Sequence, residues 1–207
     1  MKGLIIKDIL NLKKNFKTIL LVIVFFAIYA YRANNPGYMI SMTVIMFTIM
    51  SITSMTYDDT SKWDGYALTM PISRKDVIVS KYILIASLSM LSALVSFIIA
   101  YILILPGTNI GINELSLIAY KTFSISIIFI SVLLPFVYKF GVEKAQIIYV
   151  MIFAISAAIF FVLNKAGLQL PDENQLILLL KISPLMLISI LFSSGLFSYG
   201  IYKNKDI

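Results

Sequence analysis

Long apolar stretches alternate along this chain with short clusters of charged, Pro and Gly residues. Six stretches stand out, at about 18–31, 38–57, 82–105, 115–138, 145–163 and 182–202. A spanning helix needs about 20 apolar residues, because about 30 Å of hydrocarbon is crossed at about 1.5 Å per residue. The pattern predicts an all-α integral membrane protein, a single transmembrane domain over residues 1–207 with six spans. The first stretch is the shortest. Lys17 and Arg32 bracket fourteen residues, about 21 Å of helix, so it crosses only if both cations snorkel or the bilayer thins locally, and is otherwise re-entrant.

The segments between the stretches carry their own signals. In residues 1–17, Ile5, Ile9, Leu12 and Phe16 recur at four-three-four spacing, with Lys7 and Lys14 opposite and Lys13 and Lys17 flanking. That predicts an amphipathic helix on the inner leaflet, against the plainer reading of a basic flank that only fixes topology. Arg32-Ala33-Asn34-Asn35-Pro36-Gly37 and Pro106-Gly107-Thr108-Asn109 read as short turns between antiparallel helices. The connection 164–181 is longer, with Pro171-Asp172-Glu173-Asn174 as a cap before a small outer helix at Leu176–Leu180. Pro135 and Pro184 kink or start the helices that hold them. On the second stretch Ser41, Thr48, Ser51 and Met55 fall near one face with Ile45 and Ile52, and on the third Ser89, Ser92 and Ser96 repeat at three to four. Small hydroxyl residues permit close helix approach, so packing is the plainer reading and a pathway-lining role the sharper one.

Composition narrows the class. Sixty per cent of the residues are apolar and the mean hydropathy is +0.95, beyond a globular composition. The net charge of +7 reads as membrane topology and not as nucleic-acid affinity. With six crossings and a cytoplasmic N-terminus, thirteen of the seventeen basic residues fall inside and four outside (Arg32, Lys121, Lys165 and Lys181), the bias expected of cytoplasmic loops. Both termini are then cytoplasmic. No cleavable leader pattern is evident and Lys2 follows Met1, so no myristoylation is expected. The chain has no Cys and no His, which excludes thiolate or imidazole metal sites, disulfides and Ser-His or Cys-His nucleophile pairs. Every acidic residue is assigned to a loop or flank, against an ion-coupled carrier, which keeps a carboxylate at depth. No internal repeat relates the two halves. No Gly-x-x-x-x-Gly-Lys-[Ser/Thr] is present, so the chain cannot hydrolyse ATP unaided.

One polar interruption is unlike the others. Residues 57–76 hold the only Trp and four of the ten acidic residues. Two helix-start patterns occur, Ser61-x-x-Asp64 and Ser73-x-x-Asp76, with Pro71 ending a first short helix and the second helix running into the apolar stretch from Val77. Trp63, Tyr66 and Met70 lie at helical spacing and form one apolar face, with Lys62 and Asp64 at its sides. Such a face has the makeup of an interface hot spot; the alternative is a headgroup anchor.

The run Asp59-x-x-x-Trp63-Asp64-x-Tyr66-x-Leu68-x-Met70-Pro71-Ile72-Ser73-Arg74-Lys75-Asp76-x-x-x-Ser80-Lys81-Tyr82, with the opening Met1-Lys2-Gly3-Leu4-Ile5-Ile6-Lys7-Asp8, resembles the first cytoplasmic loop and N-terminus of small bacterial ABC-2 type permeases. Within them it is most similar to the membrane subunits of phenol-soluble-modulin exporters. The resemblance implies a permease of the bacterial plasma membrane that pairs with itself and with two copies of a separate ABC ATPase, which binds ATP and Mg; no cofactor belongs to this chain. It implies that residues 1–17 are the family's elbow helix. It further implies that Trp63, Asp64, Tyr66, Leu68, Met70, Pro71, Arg74 and Lys75 form the ATPase-coupling segment. It adds weight to Ser41, Thr48, Ser51 and Met55 as dimer- or pathway-lining residues. The expected function is ATP-driven export of amphipathic or hydrophobic peptides. Alternatives are an antimicrobial-peptide efflux or immunity pump subunit and a non-transporting membrane scaffold.

Overall fold

The computed structural model describes residues 2–67, 69–104, 111–165 and 173–204. Among them the ordered elements are helices: α1 (Lys2–Lys13), α2 (Phe16–Arg32), α3 (Gly37–Thr60), α4 (Trp63–Ala67), α5 (Arg74–Ile104), α6 (Ile112–Phe140), α7 (Val142–Lys165) and α8 (Glu173–Lys203). Among the described residues each apolar stretch falls on a helix that begins before it, because the preceding polar residues join the intrahelical bonding. Four are long and apolar enough to cross a membrane: α3, α5, α6 and the Ser183–Lys203 part of α8. A fifth crossing exists if α1 and α2, bent by 65° at the Lys14–Asn15 break, count as one. The expected small helix at Leu176–Leu180 is not separate, since α8 runs unbroken from Glu173 through Pro184. The Pro106–Asn109 turn and Pro171–Asp172 lie outside the described residues.

The chain forms two compact units, one up to Ile130 and one of Ser131–Lys205, with α6 contributing to both. In the first unit α3 is the central element. It packs most extensively on α5, and also on α2, α1 and α4. Ala30, Met39, Ile40, Val44, Ala100 and Leu115 form its buried apolar cluster. The α2–α3 turn is tight: Asn34 holds φ 50°, and the Gly37 N–H donates to Asn35 Oδ1 at 3.0 Å. In the second unit, Gly141 at φ 81° separates α6 from α7, a left-handed position suited to a residue without Cβ. There Ser194 donates to the Ser131 carbonyl, and the Tyr138 and Tyr202 rings meet edge to face at 5.4 Å.

Polarity is inverted relative to a soluble protein. Large side chains such as Phe25, Ile98, Phe192 and Phe197 are exposed, while Ser51, Ser80, Ser92, Ser96 and Ser198 are buried. Apolar side chains gain nothing by leaving lipid for another helix, so contacts favour small residues that let backbones approach. The buried hydroxyls of α5 satisfy themselves locally. Ser92 donates to the Ser89 carbonyl at 2.8 Å and Ser96 to the Ser92 carbonyl at 2.7 Å.

Gly37 tests this packing. An added Cβ would stand 2.9 Å from Asn35 Oδ1 and 3.0 Å from Ile118 Cδ1. Gly37→Ala is expected to destabilise the detergent-solubilised protein by about 1–3 kcal/mol, as overpacking does. A melting temperature at or above that of the parent chain contradicts the packing.

Candidate functional site: a buried charge square beneath a short loop helix

Helix α1 turns a second stripe towards the protein. Leu4, Asp8 and Leu12 are buried at i, i+4 and i+8, while Ile9 and Phe16 of the four-three-four stripe are exposed, and Phe16 belongs to α2. The stripe that packs inward shares Leu12 with the apolar one and carries a carboxylate at its centre. Asp8 and Asp58, expected in a flank and a loop, lie within helices. Asp8 is in the middle of α1 and Asp58 in the last turn of α3, and both are buried.

Two lysines neutralise them. Lys7 Nζ lies 2.6 Å from Asp58 Oδ1 and 3.2 Å from Asp8 Oδ1. Lys81 Nζ, from the second turn of α5, lies 2.8 Å from Asp8 Oδ1 and 2.6 Å from Asp58 Oδ2. Ser54 on α3 donates to Asp8 Oδ1 at 3.0 Å. The result is a square of alternating sign with zero net charge, in which each carboxylate meets both ammonium groups. Lys7 is the most exposed corner, with 22% of its side chain accessible against 6% for Lys81 and 1% for Asp8. A buried ion is costly unless opposed and hydrogen-bonded, so the four groups hold one another and with them α1, α3 and α5.

Above the square sits the loop. Helix α3 ends at Thr60, and Lys62 turns the chain at φ 50°, a left-handed conformation that costs a side-chain-bearing residue about 1–2 kcal/mol. The five residues of α4 follow. The expected Ser61–Asp64 capping box is not formed: the Ser61 hydroxyl donates back to the Tyr57 carbonyl at 2.7 Å and closes α3 instead. The second box is complete. The Ser73 N–H reaches Asp76 Oδ2 at 3.3 Å, its hydroxyl the same oxygen at 2.7 Å, and the Asp76 N–H returns to Ser73 Oγ at 3.1 Å. The hydrogen bonds from the Ser73 hydroxyl and then its N–H hold the Asp76 carboxyl below its ordinary value. Asp76 precedes the apolar stretch of α5.

The predicted coupling residues divide among three places. Trp63 and Tyr66 are together on α4, their ring centroids 5.4 Å apart and tilted by 55°. Tyr66 is exposed, Trp63 and Asp64 are half-buried, and Leu68 lies outside the described residues. Met70 and Pro71 follow α4, which ends at Ala67, so Met70 is not the next rung of one helix with Trp63 and Tyr66. Arg74 and Lys75 begin α5. Lys7 Nζ stands 4.3 Å from the centroid of the Trp63 ring, so the same ammonium group serves the square and the loop. Lys7, Asp8, Asp58 and Lys81 were missed as a site. The available signal was Asp8 between Leu4 and Leu12 on one helical stripe.

The hydroxyl stripe of α3 lies within the first unit. Thr48, Ser51 and Met55 are buried, and Ser41 is half-buried with its hydroxyl 3.4 Å from that of Thr122 on α6. Thr48 and Ser51 donate to the Val44 and Phe47 carbonyls. Ile45, expected in the same stripe, is exposed.

Residues 3–203 match the family described as ABC-2 family transporter protein. The chain belongs to the ABC-2 transporter family. No match is found among curated proteins. Membership makes this chain a multi-pass membrane transport component and not a catalyst, and implies association with an ABC ATPase subunit. In this ABC-2 permease the charge square and α4 lie where α3 ends and α5 begins.

Two outcomes follow. Asp8→Asn leaves two ammonium groups facing one carboxylate and is expected to cost about 3–5 kcal/mol, whereas Asp8→Asn with Lys81→Met restores neutrality and recovers much of it. Thermal melting of the two variants checks this; a double variant no better than the single one contradicts the square. The Asp76 cap is fully formed above the ordinary carboxylate pKa of about 3.9 and is lost as pH falls through its lower folded value. Ser73→Ala should return the Asp76 titration towards its ordinary value and speed amide exchange in the first turn of α5. Unchanged titration contradicts the cap.

Proposed function

We propose that this chain is the membrane-spanning half of an ATP-driven exporter. It works as a homodimer with two copies of a separate ABC ATPase, which bind ATP and Mg. It is placed in the bacterial plasma membrane with both termini cytoplasmic, six crossings, α1 as the elbow helix on the inner leaflet, and one transmembrane domain. The thirteen-to-four distribution of basic residues supports that orientation. The observation that carries the reading is α4: a tilted Trp63–Tyr66 pair, with Tyr66 exposed, on a strained and capped loop between two long apolar helices of an ABC-2 family chain. Aromatic groups fixed on a short rigid element suit a groove on a partner better than a solvated connector does. Trp63, Asp64, Tyr66, Leu68, Met70, Pro71, Arg74 and Lys75 form the docking segment.

The cargo is an amphipathic or hydrophobic peptide, as for the phenol-soluble-modulin exporters that the sequence resembles. An antimicrobial-peptide efflux or immunity pump would use the same architecture. Met and Ile beside hydroxyl groups give adaptable, weakly polar surface. Thr48, Ser51 and Met55 line a pathway only if α3 parts from the helices that now cover them.

An ABC ATPase co-expressed with this chain provides the test. Native mass spectrometry of the co-purified complex should show two copies of each chain; a monomer hydrolysing ATP alone contradicts the reading. Trp63→Ala and Tyr66→Ala should each weaken ATPase capture by about 2 kcal/mol or more. Arg74→Glu should act mainly on association rate. Hydrolysis should rise with several unrelated amphipathic helical peptides and less with proline-broken versions. Stimulation only by a sugar, lipid or ion would sink the peptide assignment.

A further inference from the structure

We infer that Lys7 is a positioning residue that ties the α4 aromatic pair to the buried charge square, so that force applied to Trp63 reaches α5 through Lys7, Asp58 and Lys81. Three observations meet at one nitrogen. Lys7 Nζ is 4.3 Å from the Trp63 ring centroid, 2.6 Å from Asp58 Oδ1 at the end of α3 and 3.2 Å from Asp8 Oδ1 on its own helix. Both carboxylates are in turn held by Lys81 of α5, at 2.8 and 2.6 Å.

The arrangement has a mechanical consequence. The turn from α3 into α4 is only Ser61 and Lys62, with Lys62 left-handed, so α4 cannot swing freely on a slack tether. Trp63 rests its π-face on an ammonium group whose other partners are buried carboxylates. Moving Trp63 off that group either drags Lys7 from Asp58 or leaves the ring without its cation. If Lys7 follows, Asp58 and Asp8 must share Lys81 of α5 alone, and the α1–α3–α5 junction carries an uncompensated negative charge. Lys7 suits this role because it is the least buried corner of the square, where a side chain can move without opening the core. A lysine also supplies a compact charge able to meet carboxylates and a ring face together.

The positioning step stands on the protein alone, while its use in coupling rests on the reading that α4 docks an ATPase. The tests separate the two. Trp63 is the only tryptophan of the chain, so its fluorescence reports this contact without labelling. In the full-length permease alone, Lys7→Met should raise acrylamide quenching of Trp63, because loss of a partly exposed cation–π contact lowers the docked-to-free ratio of the ring by about two- to fivefold. Lys7→Arg should leave it near the parent value. Because Lys7→Met leaves excess negative charge in the square, Lys7→Met with Asp58→Asn serves as the neutral variant that keeps the Asp8–Lys81 pair. It should show the same increase in quenching with a melting temperature closer to that of the parent. Unchanged quenching in this neutral variant overturns the positioning role.

In the complex, the neutral variant should still capture the ATPase but lose most peptide-stimulated hydrolysis, and Lys7→Arg should retain both. Full stimulation despite a displaced Trp63 overturns the coupling role. Normal ATPase capture by Tyr66→Ala and Trp63→Ala would instead remove the docking assignment, with the fluorescence result standing by itself.

Discussion

Two carboxylates and two ammonium groups hold the N-terminal helix of this permease to the helices that cross the membrane. Asp8, Asp58, Lys7 and Lys81 alternate in sign around a buried square, and each pair of neighbours comes within 3.2 Å. Between helices in lipid there is little hydrophobic force to choose one arrangement over another. A buried charge is different, because a carboxylate inside the protein tolerates few positions and each requires a cation. The square therefore specifies which turn of α1 meets which turn of α3 and of α5. Its worth lies in specificity more than in net stability, since the desolvation cost of the four ions offsets much of their attraction.

The rest of the first unit follows from small residues and local hydrogen bonds. Buried serines on α5 donate to their own helix backbone and so bring no unsatisfied hydroxyl into the contact. Large apolar groups are left outside, where lipid serves them as well as protein would. The α2–α3 turn closes on Gly37 because Asn35 and Ile118 leave no room for a Cβ. Shape makes these contacts close, and charge fixes their register.

The loop between α3 and α5 combines stiffness with exposure. Lys62 is strained, Ser61 closes α3, and Ser73 with Asp76 opens α5 through a complete capping box. The connection is thus anchored at both ends, and the element between them presents an aromatic pair. Lys7 links that pair to the square, which puts the exposed Tyr66 ring and its neighbour Trp63 close to buried carboxylates.

The long apolar stretches determined the all-helical class, the four helices of the described residues that are long and apolar enough to cross, and the polar interruption at 57–76, because a helix that faces lipid must be apolar over most of its length. The Ser73–Asp76 box was legible as well, being a contact between residues three apart. The Ser61–Asp64 box was not decided by its pattern. The same hydroxyl had a competing acceptor one turn back, at Tyr57, and the continuation of α3 to Thr60 selected it. The inward face of α1 was not legible for a related reason. Counting only apolar residues finds Ile5, Ile9, Leu12 and Phe16, while the face packed on the protein includes the carboxylate of Asp8, which is acceptable only if cations meet it. Lys7 is its neighbour, but Lys81 lies 73 residues away in the chain and the Ser54 donor 46. Local sequence fixes which segments are helices and how each begins; only the tertiary structure brings Lys7, Asp8, Asp58 and Lys81 together, because whether a buried charge is tolerated depends on what stands opposite it.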